Sequence, residues 1–269
     1  MNDLTPKVVR TSSLATFKSE GRKFSCLTSY DSITASIFDE AGIDVLLVGD
    51  SAADNSLGYT TTLPITVDEM IPFGRAVASA AKRALVVVDL PFGSYETSPA
   101  DALATAIRVM KATGAQAVKL EGGARSAEAI KTIVAAGIPV MGHVGFTPQS
   151  VHSLGGFKVQ GRGEGAAALL EEARAVEAAG AFAVVLELVP AELAEEVTRE
   201  LSIATIGIGA GNSTDGQILV WTDFAGMHAG PARKFVRKYA ELREVLLGAA
   251  RDHRNDVVSG DFPNKDEGF

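Results

Sequence analysis

The chain has 269 residues, 46% hydrophobic but only 6% aromatic, and a formal net charge of −8 from 25 basic and 33 acidic residues. That balance argues against nucleic acid or an anionic membrane surface as the main partner. One cysteine, Cys26, rules out an intrachain disulfide and fits a reducing, cytoplasmic compartment, and no apolar run approaches the ~20 residues of a membrane span.

The opening MNDLTPKVVRTSSLATFKSEG lacks the apolar core of a signal peptide. It predicts a leading segment, 1–21, with a short helix from Ser13 to Glu20 stopped by Gly21. Strand-length apolar runs then recur: FSCLTSYD (24–31), VLLVGDS (45–51), LVVVDLPF (85–92), AVKLEGG (117–123), PVMGHVGF (139–146), AVVLELVP (183–190), ATIGIGAG (204–211) and GQILVWTDF (216–224). They are continuous rather than alternating, as strands covered on both faces should be. Cys26 reads as a small core residue of the first.

Helical segments lie between most of these runs. Thr66 and Glu69 form a capping box that opens a helix to Arg83. Ser98-Pro99 supplies an N-cap and N1 proline for a helix that ends at Gly114. Ser126 opens the next, which stops at Gly137; two more follow over 163–180 and 190–201. Repeated strand–helix alternation predicts parallel βα units, and eight of them in this length predict a single α/β domain over 1–269, a (β/α)₈ TIM barrel with a short N-terminal helix. A doubly wound open sheet is the structural rival. The last stretch, 250–269, reads as a polar tail. Long loops at 51–65 and 147–165 follow C-terminal strand ends, the face on which barrel enzymes place their sites.

Charged residues mark the ends of several strands. Residues two apart on a strand share a face, so Leu46, Val48 and Asp50 form one set, Leu85, Val87 and Asp89 a second, and Lys119 and Glu121 a third. If these sets point inward, Asp50, Asp89 and Glu121 converge beside Lys119 at the mouth of neighbouring strands. Such a group either holds a proton at raised pKa or binds a cation, and its oxygen ligands favour Mg²⁺ over zinc. The alternative at each position is an acid that caps the next helix or pairs with a surface base. Glu187, flanked by Val185, Leu186, Leu188 and Val189, should be desolvated, which suits a general base; the alternative is an outward acid on a helix base. His143 could donate to an oxyanion or leaving group, or serve as a satisfied core histidine. GIGAGN (207–212) has Asn212 where a dinucleotide fingerprint needs its third glycine, and reads as a tight turn.

The ordered set LLVGDS, TLPITVDEM, VVDLPF, AVKLEGG, GHVGFTPQS, GGFKVQGRG and IGIGAGNSTDGQILV resembles the motifs of the ketopantoate hydroxymethyltransferase (3-methyl-2-oxobutanoate hydroxymethyltransferase) family, over residues 12–250. The resemblance implies a (β/α)₈ barrel of the phosphoenolpyruvate/pyruvate superfamily. It implies transfer of a hydroxymethyl group from 5,10-methylenetetrahydrofolate to 3-methyl-2-oxobutanoate, giving 2-dehydropantoate for pantothenate biosynthesis through a Mg-stabilised enolate. Asp50 and Asp89 would bind one Mg²⁺ per subunit, with Glu121 in its shell. Asp50, Ser51, Asp89 and Lys119 would contact the 2-oxo acid, Glu187 would accept the proton, and His143 would sit among the catalytic groups. A cytoplasmic homodecamer is the implied assembly. Thr60-Thr61 and the stretch 230–239 depart from the family pattern, and neither touches the implied metal site. The remaining alternatives are a lyase or mutase of the same superfamily and a non-catalytic metabolite-binding barrel.

Overall fold

Eight strands pair in parallel in chain order, and the last closes on the first. They are β1 (Phe24–Thr28), β2 (Val45–Val48), β3 (Leu85–Asp89), β4 (Ala117–Lys119), β5 (Val140–Gly145), β6 (Ala183–Glu187), β7 (Ala204–Ile208) and β8 (Gly216–Leu219). The structure, a computed structural model, describes residues 7–269. The unbroken apolar runs have the cause the sequence suggested. Val45, Leu47, Leu85, Val87, Ala117, Met141, Val185 and Ile206 fill the barrel interior. Their neighbours Leu46, Val48, Val86 and Val88 are equally buried, on the side the helices cover. Cys26 is one of the interior residues, and burial pushes its thiol up.

Helices α1 (Thr11–Ser19) and α2 (Ser32–Glu40) flank β1, and α3 (Ala52–Ser56) and α4 (Val67–Ala80) follow β2. Next come α5 (Pro99–Thr113), α6 (Ala127–Ala135), α7 (Gly165–Ala178) and α8 (Ala191–Glu200), each after its strand. The Thr66–Glu69 capping box forms as expected. Ser98 caps α5, which ends at Gly114 in a left-handed conformation. Asp31, read as the end of a strand, instead caps α2 by accepting the Ile33 and Thr34 N–H groups, each at 2.8 Å. Ser126 does not cap α6: its hydroxyl donates to the Glu121 carbonyl at 2.7 Å. No helix separates β7 from β8, so the alternation lapses there; the glycines of GIGAGN make the tight turn, with φ +65° at Gly209 and +76° at Gly211.

Helix α1 closes the N-terminal end of the barrel. Leu14 and Phe17 join the interior cluster, and the Phe17 ring packs on Phe24 at 6.2 Å. Lys18 pins the helix by donating to Asp215 and to the Thr198 carbonyl, each at 2.8 Å. The other end, where the strands finish, is left to carry chemistry.

The chain divides into two compact units, one ending at Val220 and the other Trp221–Phe269. The sequence suggested one continuous domain; all eight strands lie in the first unit. The second holds α9 (Trp221–Phe224) and α10 (Leu242–Ser259). Much of the stretch read as a polar tail is thus helical, and the left-handed Gly260 ends it. No helix among the described residues is long and apolar enough to cross a membrane.

Candidate active site

Asp89 and Lys119 end adjacent strands and face each other in register. Both continue the inward faces that Val87 and Ala117 begin. The Lys119 ammonium donates to Asp89 Oδ1 at 2.6 Å, with both side chains at most 4% exposed. Burial works against the charged lysine, but Asp89, Glu121 and Asp50 outweigh it and raise its pKa. Asp89 shifts upward through burial, with Lys119 pulling the other way.

Asp50 reaches the same place by another route. The face of β2 that points inward carries Val45 and Leu47, not Leu46 and Val48. The alternation assumed for Asp50 is therefore reversed, and Gly49 takes the inward position. The strand stops at Val48 and the chain turns, with the Ala52 N–H on the Gly49 carbonyl at 3.0 Å and the Ala53 N–H on that of Asp50 at 2.9 Å. This turn delivers Asp50 to the mouth, where its main-chain N–H donates to Asp89 Oδ2 at 3.1 Å. It also folds Ser51 back: a Cβ added at Gly49 would lie 2.8 Å from Ser51 Oγ and 3.6 Å from Asp89 Oδ2. Only glycine leaves that space open. Burial first, then repulsion from Asp89 and Glu121, pushes the Asp50 carboxyl up to about 8.

Glu121 and Glu187 stand on either side of His143. The imidazole Nδ1 lies 3.5 Å from Glu121 Oε1 and Nε2 lies 3.4 Å from Glu187 Oε2. These are ion-pair contacts, longer than good hydrogen bonds. Burial and Lys119 disfavour the imidazolium, but the two glutamates prevail and push the His143 pKa up to about 9. His143 thus lies between two acids, each within 3.5 Å of one ring nitrogen. Glu187 is not an isolated acid in an apolar flank: its side chain is 13% exposed and has His143 beside it. Leu188, directly after it, has φ +50°, unusual for a branched side chain. Across on β5, Gly145 sits at φ +94°, and a Cβ there would come within 2.3 Å of the Glu187 carbonyl oxygen.

The three acids expected around one cation do not form a single ligand cluster. Among the described residues no three His, Cys, Asp or Glu side chains are grouped that way. Asp50 and Asp89 stand as a pair, while Glu121 accepts the Gln149 N–H on Oε2 at 3.0 Å and turns Oε1 toward His143. Three further side chains complete the site. The Tyr30 hydroxyl bonds to Ser51 Oγ at 2.7 Å. The Tyr95 hydroxyl donates to Gln149 Oε1 at 2.5 Å, and Gln149 Nε2 donates to Asp50 Oδ2 at 2.9 Å.

A family model described as ketopantoate hydroxymethyltransferase matches residues 8–265. The chain belongs to the ketopantoate hydroxymethyltransferase family. A curated relative from Leifsonia xyli subsp. xyli, a 3-methyl-2-oxobutanoate hydroxymethyltransferase, is 64% identical over 98% of this chain and 96% of its own length. One of the same name from Corynebacterium efficiens is 61% identical over the whole of both chains. Solved structures share the barrel: a phosphonopyruvate hydrolase in complex with oxalate and Mg²⁺ has TM-score 0.62 at 13% identity, covering 97% of this chain and 93% of its own. A 2,3-dimethylmalate lyase of the PEP mutase/isocitrate lyase superfamily has TM-score 0.60 at 16% identity, covering 97% and 91%.

Within this hydroxymethyltransferase family member, sequence reasoning missed Tyr30, Tyr95 and Gln149. Their loops follow β1, β3 and β5, so position after an odd-numbered strand was the available signal. None carries a charge, so none stands out at a strand end as an acid or a lysine does.

Proposed function

We propose that the chain transfers a hydroxymethyl group from 5,10-methylenetetrahydrofolate to 3-methyl-2-oxobutanoate, releasing 2-dehydropantoate and tetrahydrofolate, with Mg²⁺ as the metal. The observation that carries this reading is one mouth shared by a buried carboxylate pair with its lysine and by a separate histidine-flanked glutamate. The family membership supports the choice of substrate.

The residues fit a hard divalent cation. Asp50 and Asp89 are buried, mutually repelling oxygen donors with raised pKa values, and Mg²⁺ commonly uses one or two carboxylates and leaves its other positions to substrate and water. Glu121 Oε1 is buried without a hydrogen-bond partner, an acceptor suited to the surrounding shell. When bound, the cation supplies Lewis-acid stabilisation of charge on the 2-oxo oxygen.

The chain's own groups do the rest. Lys119, held charged by Asp89, adds positive potential where the anion develops, and the Ser51 hydroxyl, steadied by Tyr30, offers the substrate a donor. Glu187 takes the C3 proton; the C–H electron pair becomes the enolate double bond. His143 orients the Glu187 carboxylate for that transfer. Over the whole reaction C3 bonds to the one-carbon unit, water supplies its hydroxyl oxygen, and the two C–N bonds that held the unit break to release tetrahydrofolate. A cytoplasmic homodecamer with one metal per subunit is the assembly that family membership supports.

The test is purified protein with 3-methyl-2-oxobutanoate, 5,10-methylenetetrahydrofolate and Mg²⁺, with 2-dehydropantoate measured. Product should need all three, EDTA should stop its formation and added Mg²⁺ should restore it. Turnover indifferent to EDTA would remove the metal; product without the folate would remove the donor.

A further inference from the structure

Gln149 spans the site. It lies in the short turn Pro148–Ser150 after β5, yet it reaches the turn after β2. Its carboxamide is fully used. The two Nε2 hydrogens go to Asp50 Oδ2 at 2.9 Å and to the Leu90 carbonyl at 3.1 Å. Its Oε1 accepts from Tyr95 at 2.5 Å, and its main-chain N–H donates to Glu121 Oε2 at 3.0 Å. One residue therefore holds groups that follow β2, β3 and β4.

The orientation of that amide is set from outside. The Tyr95 hydroxyl accepts the Glu121 N–H at 3.2 Å, and its own hydrogen goes to Gln149 Oε1 at 2.5 Å in preference to the Glu121 carbonyl at 3.4 Å. A flipped amide would set its NH₂ against the tyrosine and its oxygen against two acceptors, Asp50 and the Leu90 carbonyl. Tyr95 and Gln149 are 3% and 5% exposed, so water cannot repair such a flip. Asp50 needs this support, because it sits on a turn and not on a strand. The Gln149 bond holds Oδ2 and so fixes the direction in which Oδ1 points.

We propose that Gln149, aligned by Tyr95, is the positioning residue that fixes the rotation of the Asp50 carboxylate and presents Oδ1 to the cation and 2-oxo acid. This rests on the proposed function. Carboxylate ligands that lose such a supporting hydrogen bond typically cost about 10- to 100-fold in metal affinity or activity.

Three variants test it: Gln149→Met, which keeps the length and removes the donors; Gln149→Glu, which replaces the donor to Asp50 by an acceptor; and Tyr95→Phe, which removes only the hydroxyl. Mg²⁺ affinity is measured by calorimetry, C3 proton exchange in D₂O by NMR, and folding by thermal unfolding. Gln149→Met and Gln149→Glu should bind Mg²⁺ about 10- to 100-fold more weakly, with Gln149→Glu the weaker. Tyr95→Phe should fall in the same direction, and adding it to Gln149→Met should cost little more, because both break one chain of bonds. Folded Gln149→Met with wild-type Mg²⁺ affinity and exchange would overturn the proposal, as would additive losses in the double variant. Wild-type protein that binds Mg²⁺ without exchanging C3 would reject the proposed reaction; the metal titration would still decide Gln149.

Discussion

The main-chain N–H of Asp50 donates to the Asp89 carboxylate at 3.1 Å, so the turn that ends β2 is tied to the acid that ends β3. Lys119 occupies the other Asp89 oxygen at 2.6 Å. Asp89 therefore serves as the hub of the mouth, holding a cation with one oxygen and shaping a neighbouring turn with the other. Displacing it would disturb Asp50 and Lys119 together.

Glu187→Gln keeps the shape of the β6 end and removes the proposed base. C3 proton exchange in D₂O should fall by about 10²- to 10⁴-fold, with binding of 3-methyl-2-oxobutanoate changed little. Exchange at the wild-type rate would assign the proton to another group.

Gly145→Ala should harm the site from the backbone. The residue sits at φ +94°, and the new Cβ would meet the Glu187 carbonyl oxygen at 2.3 Å. Left-handed strain and overpacking together should cost at least about 2 kcal/mol, lowering Tm by about 4–8 °C, and kcat should drop as Glu187 shifts. An unchanged Tm would mean that β5 and β6 yield more easily than their register suggests.

How much of this was legible follows from particular residues. The eight strands could be read because burial on both faces writes itself as unbroken runs such as LVVVD. Helix α2 was hidden because its cap, Asp31, abuts the strand and was counted with it. Asp89 and Lys119 were placed correctly because their strands run regularly to the end. Asp50 reaches the mouth by a turn and not by strand alternation, which holds only while the strand lasts, and β2 stops at Val48. Gln149 and Tyr95 were out of reach, since a neutral side chain in a loop gains meaning only from the partners the fold brings to it.

Lys18→Met removes the ammonium from Asp215, whose side chain is 12% exposed, leaving it the Thr205 donors. Breaking a mostly buried pair on one side should destabilise the fold by about 3 kcal/mol. The bond lies at the closed end of the barrel, so kcat at low temperature should hold while the denaturant midpoint falls. A drop in kcat without loss of stability would contradict a purely structural role for α1.

Glu177 gives a pH dependence. Burial opposes its charge, but the Ser202 hydroxyl and the Ser202 and Ile203 N–H groups outweigh that and hold its carboxyl below the usual range. The folded pKa lies below the unfolded one, about 4.3. The stability it adds is thus full above that value and drains as pH falls through the folded value. Glu177→Gln should cost on the order of 1 kcal/mol at neutral pH and show a flatter decline in acid. Parallel stability curves for variant and wild type below pH 5 would refute this linkage.

The seal that α1 makes fixes the direction of access. With Leu14, Phe17 and Phe24 packed across the floor and side chains filling the interior above them, the barrel is a plugged core and not a channel. Whatever touches Asp89 and Lys119 arrives from the mouth, the end at which the strands finish.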